Sequence, residues 1–297
     1  MRSRLVARRC GVLLGALVVP AVLTAQRDVA LAFRAVVADA PFACTTPIAA
    51  LGTTRARTTV TDFKFYVHDV RLELADGRLV PLELADEAPW QSQGVALLDF
   101  EDGTGPCANG TPELRSTVRG RAALPADAVV RGVRFVLGVP FGLNHADLAA
   151  QPAPLSSTRM FWSWNSGYKF LRIDLRSADP ARDGTPTPWM IHLGSTGCTP
   201  AGSASEAPLR CAQPNRAEIA VRDVDPTRDA IAIDLAALLG AADLLTNTKG
   251  TAAGCMSAPT DPECGPVFAA LGLPHPAAPR GVAPAFRVLR GAVTAAR

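Results

Sequence analysis

A chain of 297 residues with 48% apolar and 19% charged side chains can bury a substantial core. Four of its 30 basic residues, Arg2, Arg4, Arg8 and Arg9, lie ahead of an apolar stretch, and setting residues 1–25 aside leaves 26 basic against 27 acidic groups. So near-neutral a balance excludes the electrostatic footprint of a nucleic-acid binder or of a protein held on an acidic membrane.

Residues 1–25 read as a secretory signal. The basic start is followed by an apolar run that Pro20 interrupts, too short to span a bilayer comfortably, and then by small residues, with Ala25 before Gln26 as the cleavage point. The expectation is one domain over 26–297, periplasmic or secreted, with no membrane contact once the signal is removed. Cys10 departs with the signal and six cysteines remain, an even number that predicts disulfides in an oxidising compartment. Closeness along the chain favours Cys198–Cys211 and Cys255–Cys264, which leaves Cys44–Cys107.

Strand signals dominate from residue 58 onward. Residues 58–67 are rich in β-branched and aromatic types. Residues 70–74 alternate apolar and polar, Asp76-Gly77 marks a turn, and 79–84 resumes the pattern, which predicts a hairpin. Further strands are expected at 95–100, 117–123, 129–137, 169–176, 189–193, 218–221, 230–233 and 285–294. Short helices are expected within 235–245 and 267–271. The stretches 138–157, 177–188, 199–214 and 247–284 read as irregular. The fold class is therefore all-β, an antiparallel β-sandwich with long disulfide-closed loops and one or two short helices.

The chemistry concentrates around residues 160–170. Read as a strand, this segment places Met160, Trp162 and Trp164 on one face. Met190 and His192 share a face in the strand at 189–193. His145 lies in a loop of Gly, Asn, Asp and Pro, His192 precedes a Gly-Ser-Thr-Gly turn, and His68 ends an apolar strand beside Asp69, which could orient its ring. His275, between two prolines, reads as a surface residue. Imidazole and thioether suit copper, at the top of the divalent affinity order, and the closely spaced histidine pairs of zinc enzymes are absent. The acidic run Asp99-Phe100-Glu101-Asp102-Gly103 lacks calcium-loop spacing and reads as a solvated turn. No nucleophile elbow, phosphate loop or dinucleotide fingerprint is visible.

Several of these strings, taken in order, carry a resemblance. They are Asp62-Phe63-Lys64-Phe65-Tyr66-Val67, the run 97–102, Gly138-Val139-Pro140-Phe141-Gly142-Leu143-Asn144-His145, the run 161–170, and His192-Leu193-Gly194-Ser195-Thr196-Gly197-Cys198. Together they resemble the MbnP-like family of exported copper-binding proteins, from about residue 29 onward. The resemblance implies a β-sandwich with a mononuclear copper site built from two histidines and a kynurenine made by oxidising a tryptophan. His145 and His192 match the motif histidines, Trp162 and Trp164 both lie in the shared segment, and His68 is a reserve ligand. A MauG-like diheme c-type peroxidase is implied as the partner that oxidises the tryptophan. This chain has no Cys-x-x-Cys-His to hold haem itself, so the protein is expected to be a binder and not an enzyme. Two alternatives belong to other classes. A carbohydrate-binding sandwich would use exposed Trp162, Trp164 and Tyr168 as a stacking platform. A metal-dependent hydrolase would use Asp147 as its base.

Overall fold

The computed structural model describes residues 24–163, 166–182, 184–200 and 207–293. Thirteen strands carry the architecture: β1 (Thr24–Val37), β2 (Ala56–Leu74), β3 (Val95–Asp99), β4 (Thr117–Pro125), β5 (Val130–Leu137), β6 (Phe161–Ser163), β7 (Gly167–Ala178), β8 (Thr187–Gly194), β9 (Thr196–Pro200), β10 (Pro208–Gln213), β11 (Ala217–Arg222), β12 (Ala230–Asp234) and β13 (Phe286–Leu289). All but β9 and β10, which form a separate two-stranded sheet, belong to the two packed layers of an all-β sandwich, as the alternating patterns require. The smaller sheet runs β13-β12-β1-β4 and adds Glu83–Leu84 at its edge. The larger runs β11-β5-β2-β7-β8 and adds Gly254–Cys255.

β2 is the spine of the larger sheet. Residues 57–65 pair with β7, residues 67–74 with β5, and residues 64–68 with β3. Its odd-numbered residues Phe63 and Phe65 face the smaller sheet. There Phe65 meets Phe33 of β1 at 6.3 Å and Phe286 of β13 at 5.8 Å between ring centroids. Phe135 of β5 closes the cluster against the same two rings, at 5.6 Å and 5.3 Å. All four rings are buried, and their edge-on packing holds the layers together.

Most expected strands are present, with four differences. β1 precedes the first strand expected from the sequence; its apolar residues alternate only toward its buried end, which obscured the signal. It also pairs with β12 in parallel, Phe33 opposite Ile231, and β8 pairs in parallel with Gly254–Cys255, so the sandwich is not wholly antiparallel. The two halves expected as 58–67 and 70–74 are one strand, which tolerates Asp69 in the left-handed region at φ 46°. The stretch 199–214, read as irregular, instead contributes to the β9–β10 hairpin. The short helices fall as expected, at Leu235–Leu239 and Cys264–Ala270, the first capped by Asp234 accepting from the Ala236 N–H.

The two disulfides favoured by closeness, Cys198–Cys211 and Cys255–Cys264, are present, and so is the remaining pair, Cys44–Cys107. No helix among the described residues is long and apolar enough to cross a membrane. The expected signal lies outside the described residues as far as position 23, and β1 begins at Thr24. Because Phe65 joins the two layers, Phe65→Ala is expected to cost about 3–5 kcal/mol in urea unfolding.

Candidate metal-binding site

The opposite face of the larger sheet is polar, and two loops cover it. In β2 the even positions Asp62, Lys64, Tyr66 and His68 point this way. Register then places His192 of β8, Arg172 of β7, Lys64 of β2 and Asp99 of β3 in one row across four adjacent strands. The next row carries Met190, Asp174 and Asp62.

These rows form a continuous ionic array. Lys64 Nζ pairs with Glu101, with Asp99 Oδ2 at 3.4 Å and with Asp62 Oδ1 at 3.9 Å. Arg172 bridges Asp62 Oδ2 at 3.1 Å and Asp174 Oδ2 at 2.6 Å. Asp174 Oδ1 lies 2.7 Å from His192 Nε2. Lys64, Asp62, Asp99 and Glu101 are all buried, which corrects the reading of 99–103 as a solvated turn. A signal was present: Lys64 stands between two phenylalanines in a strand, and a lysine there needs carboxylates around it. Burial pushes Asp62 up to about 7, against the pull of Lys64, and pushes Asp99 up as well. Burial also opposes ionisation of Asp174, but hydrogen bonds from His192 and Arg172 outweigh it and hold its carboxyl below the usual range.

The covering loops meet above the array. Arg159 donates to the Asn109 carbonyl, and its own carbonyl accepts from Lys169 Nζ at 3.0 Å and Arg172 Nη1 at 3.3 Å. Tyr66 and Tyr168 pack edge to face at 5.8 Å and donate to the carbonyls of Pro154 and Leu155. Tyr168 is fully buried, which removes it from any exposed stacking platform.

The array ends at the hairpin of β6 and β7, and both motif histidines border that hairpin. His192 is 8% exposed, and the indole of Trp162 packs edge to face on its ring at 6.2 Å. Gly194 makes this possible, since a Cβ there would come within 2.8 Å of the indole and 2.7 Å of the Tyr168 carbonyl. The backbone of this stretch is clamped by buried Ser257, whose hydroxyl donates to the His192 carbonyl and accepts from the Gly194 N–H, each at 2.9 Å. On the other flank His145 is 4% exposed and follows the short helix Phe141–Asn144. Asn144 Nδ2 lies 3.1 Å from His145 Nε2, and Asn144 Oδ1 accepts from the Tyr168 N–H at 2.9 Å. His145 Nε2 also lies 3.3 Å from Cys211 Sγ, in the hairpin that leaves Gly194. The two imidazoles thus share the β6–β7 hairpin and the segment that runs from β8 into β9 as neighbours.

Cys198, Cys211 and His145 place potential donor atoms within 4.8 Å of one another. The two cysteines form a disulfide, so neither supplies the thiolate that binds metal. His68 takes a different position. Burial lowers it to about 4, and the nearby cationic Arg216, stacked over Phe141 and Phe170, adds to that effect. Asp69 does not orient the His68 ring; it forms a bidentate pair with Arg71. Trp164 lies outside the described residues. Met160 is buried in a 3-10 turn ahead of β6, so it does not continue the strand alternation to Trp162. Asp147 caps the following turn by accepting from the Ala149 N–H.

The quoted strings, the sandwich and the disulfides have a counterpart among known proteins. Residues 26–257 match the MbnP family. The chain belongs to the MbnP family. A solved structure, MbnP from Methylosinus trichosporium, is similar at 34% identity with a TM-score of 0.75, covering 90% of this chain and 100% of the other. No curated protein matches the chain significantly. Sequence reasoning singled out the histidines and tryptophans of this MbnP family member but not Asp174, Arg172, Asn144 or Ser257, which hold them. Arg172-x-Asp174 at strand period was the one legible hint.

Two tests follow from this geometry. Asp62 takes up a proton in the native state at pH values where the unfolded chain has released it. The stability this contributes is complete below about pH 4 and is lost as pH rises through about 7. Asp62→Asn is therefore expected to remove about one proton's worth of pH dependence across that window, read from urea midpoints. Gly194→Ala is expected to displace Trp162, shifting tryptophan fluorescence and costing about 1–3 kcal/mol.

Proposed function

We propose that this protein is an exported copper binder that holds a mononuclear ion through His145 and His192 beside Trp162. The observation that carries this reading is the placement of two buried imidazoles on either flank of the hairpin bearing Trp162. Imidazole nitrogen is a donor for copper, zinc, iron and nickel, and a pair of imidazoles does not offer the oxygen cage that calcium and magnesium require. Membership of the MbnP family favours copper among these. Three disulfides support a site of action in the periplasm or outside the cell.

The third donor is a tryptophan-derived kynurenine. Its aromatic amine and carbonyl are better copper donors than an intact indole. Trp162 is half-buried and sits on His192, so it suits this role, with Trp164 as the second choice. A MauG-like diheme c-type peroxidase supplies the oxidising equivalents. The protein is the substrate of that oxidation and the carrier of the metal, and it catalyses nothing itself. Its role is copper acquisition or handling.

Loading with copper followed by desalting is expected to leave stoichiometric metal on the wild type. The paired change His145→Ala and His192→Ala is expected to reduce it to background while the circular dichroism stays unchanged. Protein purified from a host that carries the peroxidase is expected to show an intact-mass gain equal to one oxygen less one carbon. Failure of the wild type to retain copper in either form would overturn the reading.

A further inference from the structure

We propose that Asp174 is the positioning residue for His192: it holds the ring by Nε2–H and so commits the metal to Nδ1. This rests on the reading that His192 is a copper ligand. An ionised carboxylate only accepts hydrogen bonds. Its approach to within 2.7 Å of Nε2 therefore places the imidazole proton on Nε2 and the lone pair of the neutral ring on Nδ1. Among the described residues Nδ1 has no hydrogen-bond partner, so its lone pair is not otherwise engaged.

Asp174 is itself fixed. Its second oxygen, Oδ2, accepts from both Arg172 Nε at 3.0 Å and Nη2 at 2.6 Å, so the carboxylate cannot turn away without giving up both charge-assisted bonds. Arg172 is anchored in turn by Asp62 and the Arg159 carbonyl. At the other end of the residue, Ser257 holds the His192 carbonyl. Backbone, ring nitrogen and ring face are each gripped by a different element: the 254–257 segment, β7 and β6. That leaves one atom of His192 for a ligand.

The array surrounds the Asp174–His192 contact with paired charge. Asp62, Asp99, Glu101 and Asp174 face Lys64, Arg172 and, at the edge, Lys169. The carboxylate of this array that touches the proposed ligand is Asp174, hydrogen-bonded to the His192 ring. A carboxylate so placed orients the ring and raises its donor strength, and loss of such a partner typically weakens metal binding by about 10–100-fold.

The first test needs no metal and no variant. Long-range proton–nitrogen correlation spectra of the apo wild type are expected to show His192 as the Nε2–H tautomer at neutral pH. An Nδ1–H tautomer would overturn the proposal. Copper titration against a competing chelator is then expected to show Asp174→Asn about 10–100-fold weaker than wild type, with Asp174→Glu recovering part of the loss. Equal affinity in Asp174→Asn, with binding still abolished by His192→Ala, would overturn the proposal while leaving the copper reading intact. If wild-type protein shows the Nε2–H tautomer yet retains no copper, the copper reading fails and the metal role of Asp174 fails with it.

Discussion

Lys64 is a lysine buried in the central strand of the larger sheet, and much of the structure is arranged around keeping its charge paired. A buried ammonium costs several kcal/mol unless carboxylates surround it, and Asp62, Asp99 and Glu101 do so. Those acids come from the same strand, from β3 and from the loop that follows β3. The pairing therefore ties β2 to β3 and draws the loop closed by Cys44–Cys107 over the sheet. It also specifies register. Sliding β7 by one residue against β2 would carry Arg172 and Asp174 into the apolar layer between the sheets, at prohibitive cost.

The two faces of the larger sheet thus have separate tasks. The inner face, with Phe63, Phe65 and Phe135, holds the layers together by burial and ring packing. The outer face carries the ionic array and is roofed by the loops at 100–115 and 152–160. A site at the edge of that roof inherits rigidity from the charges beneath it. His192 is in direct contact with the last carboxylate, and His145 is tied through Asn144 to the first residues of β7. The disulfides act at the periphery. Cys198–Cys211 staples the hairpin against which His145 rests, and Cys255–Cys264 closes the loop that contains Ser257, the clamp on the His192 backbone.

The sandwich class, most strands, two of the short helices and the disulfides Cys198–Cys211 and Cys255–Cys264 were legible because each depends on near neighbours in sequence: alternation with period two, turn residues, and cysteine spacing. Cys44–Cys107 then followed as the pair left over. His145, His192 and Trp162 were legible because their residue types are rare in this chain and lie in recognisable strings. β1 was not, since its exposed first half hides the period. The buried state of Asp99 and Glu101 was not, because an acidic run looks the same in sequence whether it faces water or a lysine. Nor was the setting of His68, whose charged form is opposed by burial and by the nearby Arg216, packed on Phe141 and Phe170.

What the chain by itself determined is the inventory: an all-β protein with paired cysteines, few histidines and an unusual tryptophan segment, since local pattern and composition suffice for these. What only the tertiary structure decided is which atoms meet. His192 finds Asp174 and Trp162 from three separate strands, and His145 finds Cys211 across 66 positions. Such contacts are set by strand register, and register is fixed by long-range packing and charge pairing rather than by any local signal.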